Sequence, residues 1–234
     1  LINRNSQNQS TESNSPRTLS EFIPATQDEV RRLILGGKSK SFSQDPIPTS
    51  LVKLFADSLV PAITHMINLS LNSGTVPSNF KKAIVTPIIK KATLSSENLS
   101  NYRPVSNLTY VSKLAEKIVA SRLQQHMESH DLHEIYQSAY KKYHGTETAL
   151  LKVQNDLLLA LDNQKCVLFI LLDLSAAFDT VDHRVLLERL RELIGLDGVA
   201  LDWIESYLSL RSQVVSVGEA LSEVLCLLYG VPQG

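Results

Sequence analysis

Residues 166–173 read CVLFILLD, seven apolar residues without polar alternation, closed by an aspartate. An unbroken apolar run of this length is the pattern of a strand buried on both faces. A carboxylate is out of place at its end, because an ionised acid is costly to remove from water unless it is paired or holds a metal. Any fold assigned to this chain has to house the run and account for Asp173.

The residues around that strand alternate between two periodicities. Residues 1–21, opening LINRNSQNQSTESNSP, are rich in Asn, Ser, Gln and Thr and predict a disordered linker or tail, leaving 22–234 as the domain. TQDE has the form of a capping box ahead of a helix VRRLIL that Gly36 and Gly37 end. Apolar residues at Leu51, Leu54, Phe55, Leu59, Ile63, Met66, Ile67 and Leu71 predict a helix over about 50–72, broken or kinked at Pro61. KAIVTPIIKK predicts a strand pair or a strand broken at Pro87. The stretch ATLSSENLSNYRP predicts a loop, and TYVSKLAEKIVASRLQQHM and ETALLKVQNDLLLALD predict two long helices flanking a loop around QSAYKKYHG.

Beyond Asp173 the sequence predicts a helix from Asp182 to about Ile194 and another around ALDWIESYLSL. On the latter, Trp203 and Tyr207 stand four apart and read as core. SQVVSV and SEVLCLLYG alternate like the strands of a hairpin around GEAL. Helices and strands interleave without a regular βαβ period, so the fold class is α+β.

With 43% hydrophobic residues in 234, the chain can build a core. No stretch reaches the roughly 18 uncharged apolar residues of a membrane span, so no membrane partner is expected. Cys166 and Cys226 both lie in apolar runs without metal-like pairing and read as buried free thiols of a reducing compartment. A chain running from Leu1 to Gly234 reads as a piece cut at both ends. Net charge is −1, which argues against a strongly basic nucleic-acid binder. Between Phe80 and His144, however, ten basic residues face five acidic ones, an asymmetry that suits a polyanion.

Of the three acids in DLSAAFDTVD, Asp179 and Asp182 read first as helix caps. Asp173 does not, since the AAF that follows it closely is neither turn nor cap. Magnesium takes a few carboxylate oxygens and keeps places for substrate phosphates. In two-metal phosphoryl transfer, an acid at a rigid strand end would bridge ions that activate the attacking oxygen and neutralise a leaving pyrophosphate. Such an acid needs an acidic partner, and no second apolar strand here ends in one. Ser175 two places on weakens an Asp-x-Asp phosphatase reading, and the absence of Gly-x4-Gly-Lys-Ser/Thr removes a P-loop.

Four stretches then agree in order: NYRPVSNLTYVSKLAEKIVASRL (101–123), QSAYKKYHGTETAL (137–150), FILLDLSAAFDTVDH (169–183) and GVPQG (230–234). Together they resemble the fingers and palm motifs of LINE-type (non-LTR) retrotransposon reverse transcriptases, over nearly all of 22–234. The resemblance implies a right-hand polymerase fold, fingers plus an incomplete palm, truncated before the Asp-Asp hairpin and thumb. It implies RNA-directed DNA polymerase activity in the parent polypeptide, with this piece inactive alone.

The same resemblance assigns roles. Asp173 matches the catalytic, metal-binding aspartate, with the Leu174 carbonyl a further ligand of two Mg2+ ions whose other acids are missing. Arg103, Lys90 and Lys91 match basic residues that grip the incoming triphosphate, and the N–H groups of Ala176 and Ala177 would face it. Phe178 matches the aromatic gate that excludes a ribose 2′-hydroxyl. Gln233 matches a nucleotide-binding position and Gly234, with Lys141 and Lys142, template or primer contacts. The implied partners are an RNA template, a DNA primer and deoxynucleoside triphosphates, and the implied location is nuclear during integration. Two alternatives stay open: a non-catalytic nucleic-acid-binding remnant, and a structural or protein-interaction domain without affinity for RNA.

Overall fold

The computed structural model describes residues 18–38, 44–174 and 176–233; the tail expected over 1–21 falls outside them as far as Arg17. Leu19 is already tied to the fold, its N–H donating to Gly195 O at 2.8 Å and its carbonyl accepting from Asp197 N at 3.0 Å.

Helix α1 (Gln27–Gly36) starts where TQDE predicts, the Thr26 hydroxyl accepting from Glu29 N at 3.1 Å. Glu29 forms a forked pair with Arg122 at 2.9 and 2.6 Å. The helix expected over 50–72 is two, α2 (Thr49–Leu54) and α3 (Ala56–Ser73), and the break lies at Phe55. Pro61 is carried inside α3, where its missing N–H deprives only the Asp57 carbonyl. Ala56, Val60, Ile63, Ile67 and Leu71 form the buried stripe, whereas Leu51, Leu54, Phe55 and Met66 are exposed. Of the expected positions, Ile63, Ile67 and Leu71 are in the stripe and Leu59 packs against the core, so the phase holds along most of α3 and is lost ahead of it.

A four-residue helix, α4 (Ser78–Lys81), leads to the sheet, and α5 (Tyr110–Ser129) and α8 (Gly198–Leu208) complete the helical layer. Ile34 of α1, Ile67 of α3, Ile118 of α5 and Trp203 of α8 meet in one core. Each large side chain buried there stabilises the fold by about 1.5–3 kcal/mol. Trp203 donates to the Ser70 hydroxyl at 3.0 Å and stacks on Tyr207 at 5.5 Å; Trp203 is buried in the core and Tyr207 packs half-buried against it.

The sheet is mixed. β1 (Lys82–Ile89) pairs antiparallel with β2 (Tyr102–Asn107) and parallel with β3 (Arg211–Val217); β4 (Ala220–Leu221) and β5 (Leu225–Leu227) pair antiparallel with β3. The hairpin expected after α8 is thus present, interrupted between its two return strands. β1 is continuous through Pro87, because its pairing with β3 stops at Val85 and Pro87 faces only Pro104 on β2. β2 begins inside the expected loop, at Tyr102, Arg103 and Pro104, its strand character hidden by the proline and the polar residues around it.

The strand expected at 166–172 does not form. Helix α6 (Thr146–Asp162) forms as predicted, but residues 165–174 make no ladder bonds, and Leu172 is 90% exposed with Leu168, Ile170 and Leu171 beside it. A strand is held by paired neighbours and a covering layer. In the described sheet, β1 lies between β2 and β3, and β3 bears β4 and β5; none of these strands pairs with the run. Burial of the thiols fails too: Cys166 and Cys226 are free but exposed. Past the run, Asp182 caps α7 (His183–Arg189) by accepting from Val185 N at 3.1 Å, as its capping reading predicts. The helix runs on through a wider turn at Leu190–Ile194.

Candidate active site

Residues 176–180 form a turn in which Ala176 holds a left-handed backbone (φ 52°) and accepts from Asp179 N at 2.9 Å. The segment GVPQ, residues 230–233, is fastened onto this turn. Gly230 N donates to Val181 O and Val231 N to Phe178 O, each at 2.8 Å, and the Gly230 carbonyl lies 2.7 Å from His183 Nε2. Gly230 has φ 84°, and a Cβ there would lie 2.9 Å from Asp179 Cα and from the Phe178 and Asp179 carbonyls. Only glycine fits so close an approach. Farther along, Gln233 O accepts from Ser106 N of β2 at 2.6 Å, so one segment clips the turn to the sheet.

Between turn, segment and sheet lies a cleft of about 270 Å³ lined by Ser106, Asp179, Arg211, Gln213, Tyr229 and Gln233 among others. Phe178, 40% exposed, stands on the turn that forms one wall, with Ala176 and Ala177 exposed before it. Its ring meets Tyr140 edge to face at 6.2 Å. That contact ties the loop bearing Lys141 and Lys142 to the turn; the two lysines line a separate groove against α5. Gly234 lies outside the described residues.

Arg103, exposed on β2, stands three residues from Ser106, roughly 10 Å at the usual strand rise. Lys90 is tied locally, its N–H to Asn101 O and its Nζ to Ser100 O, both at 2.8 Å, and Lys91 is exposed beside it. The basic group thus occupies the far end of the β1–β2 hairpin. Asp173 and Leu174 are exposed at the end of the unpaired run and do not line the cleft.

Sequence reasoning missed Arg211. It is 1% exposed, donates from Nη1 to Tyr207 O at 2.9 Å and lies over the Tyr207 ring at 4.6 Å. The Tyr207 hydroxyl donates to Glu116 at 2.8 Å. Burial raises the Glu116 carboxyl and the Tyr207 phenol above their ordinary ranges and pulls the Arg211 and Lys81 cations down. The available signal was a charge beginning an alternating strand straight after an apolar helix.

Magnesium takes oxygen donors, and the Asp173 carboxylate and Leu174 carbonyl are of that kind. Among the described residues no three His, Cys, Asp or Glu side chains converge as a metal site would require. The donor chemistry fits; the number of donors falls short of a complete site.

The chain is 28% identical over 210 residues to the RNA-directed DNA polymerase from mobile element jockey of Drosophila melanogaster, covering 89% of this chain and 23% of that protein. It is 28% identical over 227 residues to the probable RNA-directed DNA polymerase from transposon X-element of the same fly, covering 97% and 24%. A Pol polyprotein from the type-1 retrotransposable element R2 of Popillia japonica is 27% identical over 214 residues, covering 91% and 28%. The chain therefore spans about a quarter of the length of these relatives. Residues 89–234 match the family model described as reverse transcriptase (RNA-dependent DNA polymerase), and the chain belongs to that family of nucleotidyltransferases.

Proposed function

We propose that the polypeptide containing this chain is the RNA-directed DNA polymerase of a non-LTR retrotransposon, and that this chain carries the fingers and the nucleotide-selecting part of the palm. The supporting observation is the fastening of residues 230–233 onto the Phe178 turn and onto β2 at once. It places three separated sequence motifs around one cleft.

In this reading the 3′-hydroxyl of a DNA primer paired to an RNA template attacks the α-phosphate of a deoxynucleoside triphosphate, and pyrophosphate leaves. Magnesium supplies neutralisation of the phosphate charge when bound, held by Asp173 and Leu174 with acids from outside the described residues. Arg103, with its planar fork, and Lys90 or Lys91 hold the triphosphate. Phe178 excludes a 2′-hydroxyl by bulk, and its edge contact with Tyr140 fixes the ring. Gln233, held through its carbonyl by β2, lies under the template base or primer end. The exposed, unpaired 165–174 run favours one other reading, a binding remnant without catalysis.

Sugar discrimination tests the proposal. In a polypeptide continuing to the length of the relatives, Phe178→Val should narrow the preference for deoxynucleotides over ribonucleotides by roughly 10- to 200-fold, the range that steric fit supplies. An unchanged ratio removes Phe178 from the site; absence of incorporation by the unsubstituted polypeptide leaves the remnant reading.

A further inference from the structure

Arg211 opens β3 with its side chain inside the protein, and only part of its donor set is used. Nη1 donates to Tyr207 O at 2.9 Å, and the guanidinium is held flat over the Tyr207 ring. Nε and Nη2 are shut off from water and find no hydrogen-bond partner among the described residues. These two nitrogens share one edge of the guanidinium and aim their N–H bonds in parallel, the fork that grips two oxygens of one anion at once. Burying charged donors without an acceptor is costly, so the fork calls for one. The charges around it have the same sense. Lys82 pairs with Ser212 in the parallel ladder, which sets buried Lys81 beside Arg211 at the ladder's start. Burial first, and then the Arg211 charge, pull the Lys81 cation down. Against these two cations stands Glu116, already bonded to the Tyr207 hydroxyl and held above its ordinary range by burial. Asp179 borders the same cleft as Arg211 but is exposed to water.

We propose that the fork of Arg211, with the side-chain amide of Gln213, binds one free inorganic phosphate ion at the β3 wall of the cleft. Gln213 stands two residues along the same face of β3 and lines the cleft with Arg211. The ion reaches the fork when the guanidinium edge turns onto the cleft that the residue already borders. A dianion answers two buried cations better than a carboxylate of single charge does. The cleft, at about 270 Å³, lies below the roughly 300–1,000 Å³ of sites for larger organic ligands, so it suits a small ion rather than a whole nucleotide. This site is apart from Arg103, Lys90 and Lys91 at the far end of the β1–β2 hairpin. It does not rest on the polymerase reading. Phosphate held there stabilises the folded chain by mass action, since the unfolded chain has no such fork in place.

The test titrates this chain with sodium phosphate at fixed pH, with chloride holding the ionic strength constant, and follows the arginine Nε–H signals by nitrogen-15 NMR. The Arg211 signal, assigned through the β3 backbone, should move and saturate, while the signals of exposed Arg103 and Arg184 do not saturate with it. The melting temperature should rise with phosphate or sulfate and less with acetate. Arg211→Met and Gln213→Leu should each weaken phosphate binding at least about 10-fold, the loss of one hydrogen bond to a charged group. Should Arg211→Met fail to fold, the wild-type titration and Gln213→Leu decide the matter. An Arg211 signal that ignores phosphate, or moves without saturating, overturns the proposal and leaves the polymerase reading standing. So does acetate acting as strongly as phosphate. Displacement of phosphate from Arg211 by a lower concentration of a deoxynucleoside triphosphate or a single-stranded oligonucleotide makes the ligand nucleotide-borne and overturns the free ion as occupant.

Discussion

The amide of Gly230 donates to the carbonyl of Val181 at 2.8 Å, joining segments almost fifty residues apart where no side chain larger than hydrogen fits. Gly230→Ala puts a Cβ 2.9 Å from backbone atoms in a left-handed conformation. Backbone strain of this kind costs about 1–3 kcal/mol. Urea unfolding of the variant should show a loss of at least that size, and amide exchange should quicken at Gly230 and Val231.

Both cysteines should react with a thiol reagent in the native chain at rates near those of the unfolded chain, because both are exposed. A buried strand at 166–172 would protect Cys166. In a polypeptide that continues past Gly234, Cys166 should become protected while the apolar run gains a neighbour; unchanged reactivity there would count against the run's being a palm strand.

Two glutamates should bend the pH dependence of stability in opposite senses. The hydrogen bonds from Arg122 hold the Glu29 carboxyl below the ordinary range, so its contribution is present above the unfolded pKa near 4.5 and is lost as pH falls through the lower folded value. Burial holds Glu116 above that range, so its contribution is present below the same point and is lost as pH rises through the higher folded value. Arg122→Met should cost about 1–2 kcal/mol at neutral pH, between an exposed and a buried pair, and the difference should shrink below pH 4.5. Glu116→Gln should remove the loss on the alkaline side. Denaturant midpoints from acid to neutral pH check both.

Tyr207→Phe leaves the buried Glu116 carboxylate without its hydroxyl donor and should cost about 1–3 kcal/mol. Added to Glu116→Gln, it should cost less than it does alone. Additive losses in that double-mutant cycle would contradict the coupling.

The helices α1, α5, α6 and α8 were legible because each carries a strong local signal: a capping residue, a long 3.6-residue period or a bounding glycine. What escaped depends on distant partners. β2 is a strand only because β1 pairs with it, and the apolar run at 166–172, strand-like in sequence, pairs with none of the described strands. The break at Phe55 rather than Pro61 shows that a proline early in a helix forfeits little, while local geometry can end a helix without any breaker residue. Among site residues, the motifs marked Phe178 and Gln233, and the structure joins their segments. Tyr140 and Arg211 were invisible as partners, since a sequence cannot show which ring touches Phe178 or which phenol an arginine covers. Asp173 stands apart from the cleft, and its role stays a proposal of the polymerase reading.

Primer extension on an RNA template, with magnesium and deoxynucleotides, tests the central claim most directly. It compares this chain, a polypeptide continued to the length of the relatives, and that longer polypeptide carrying Asp173→Asn. The polymerase reading predicts incorporation by the longer polypeptide alone, reduced by several orders of magnitude in the Asp173→Asn variant. Incorporation that survives the substitution, or an inert longer polypeptide that still binds RNA, would contradict it.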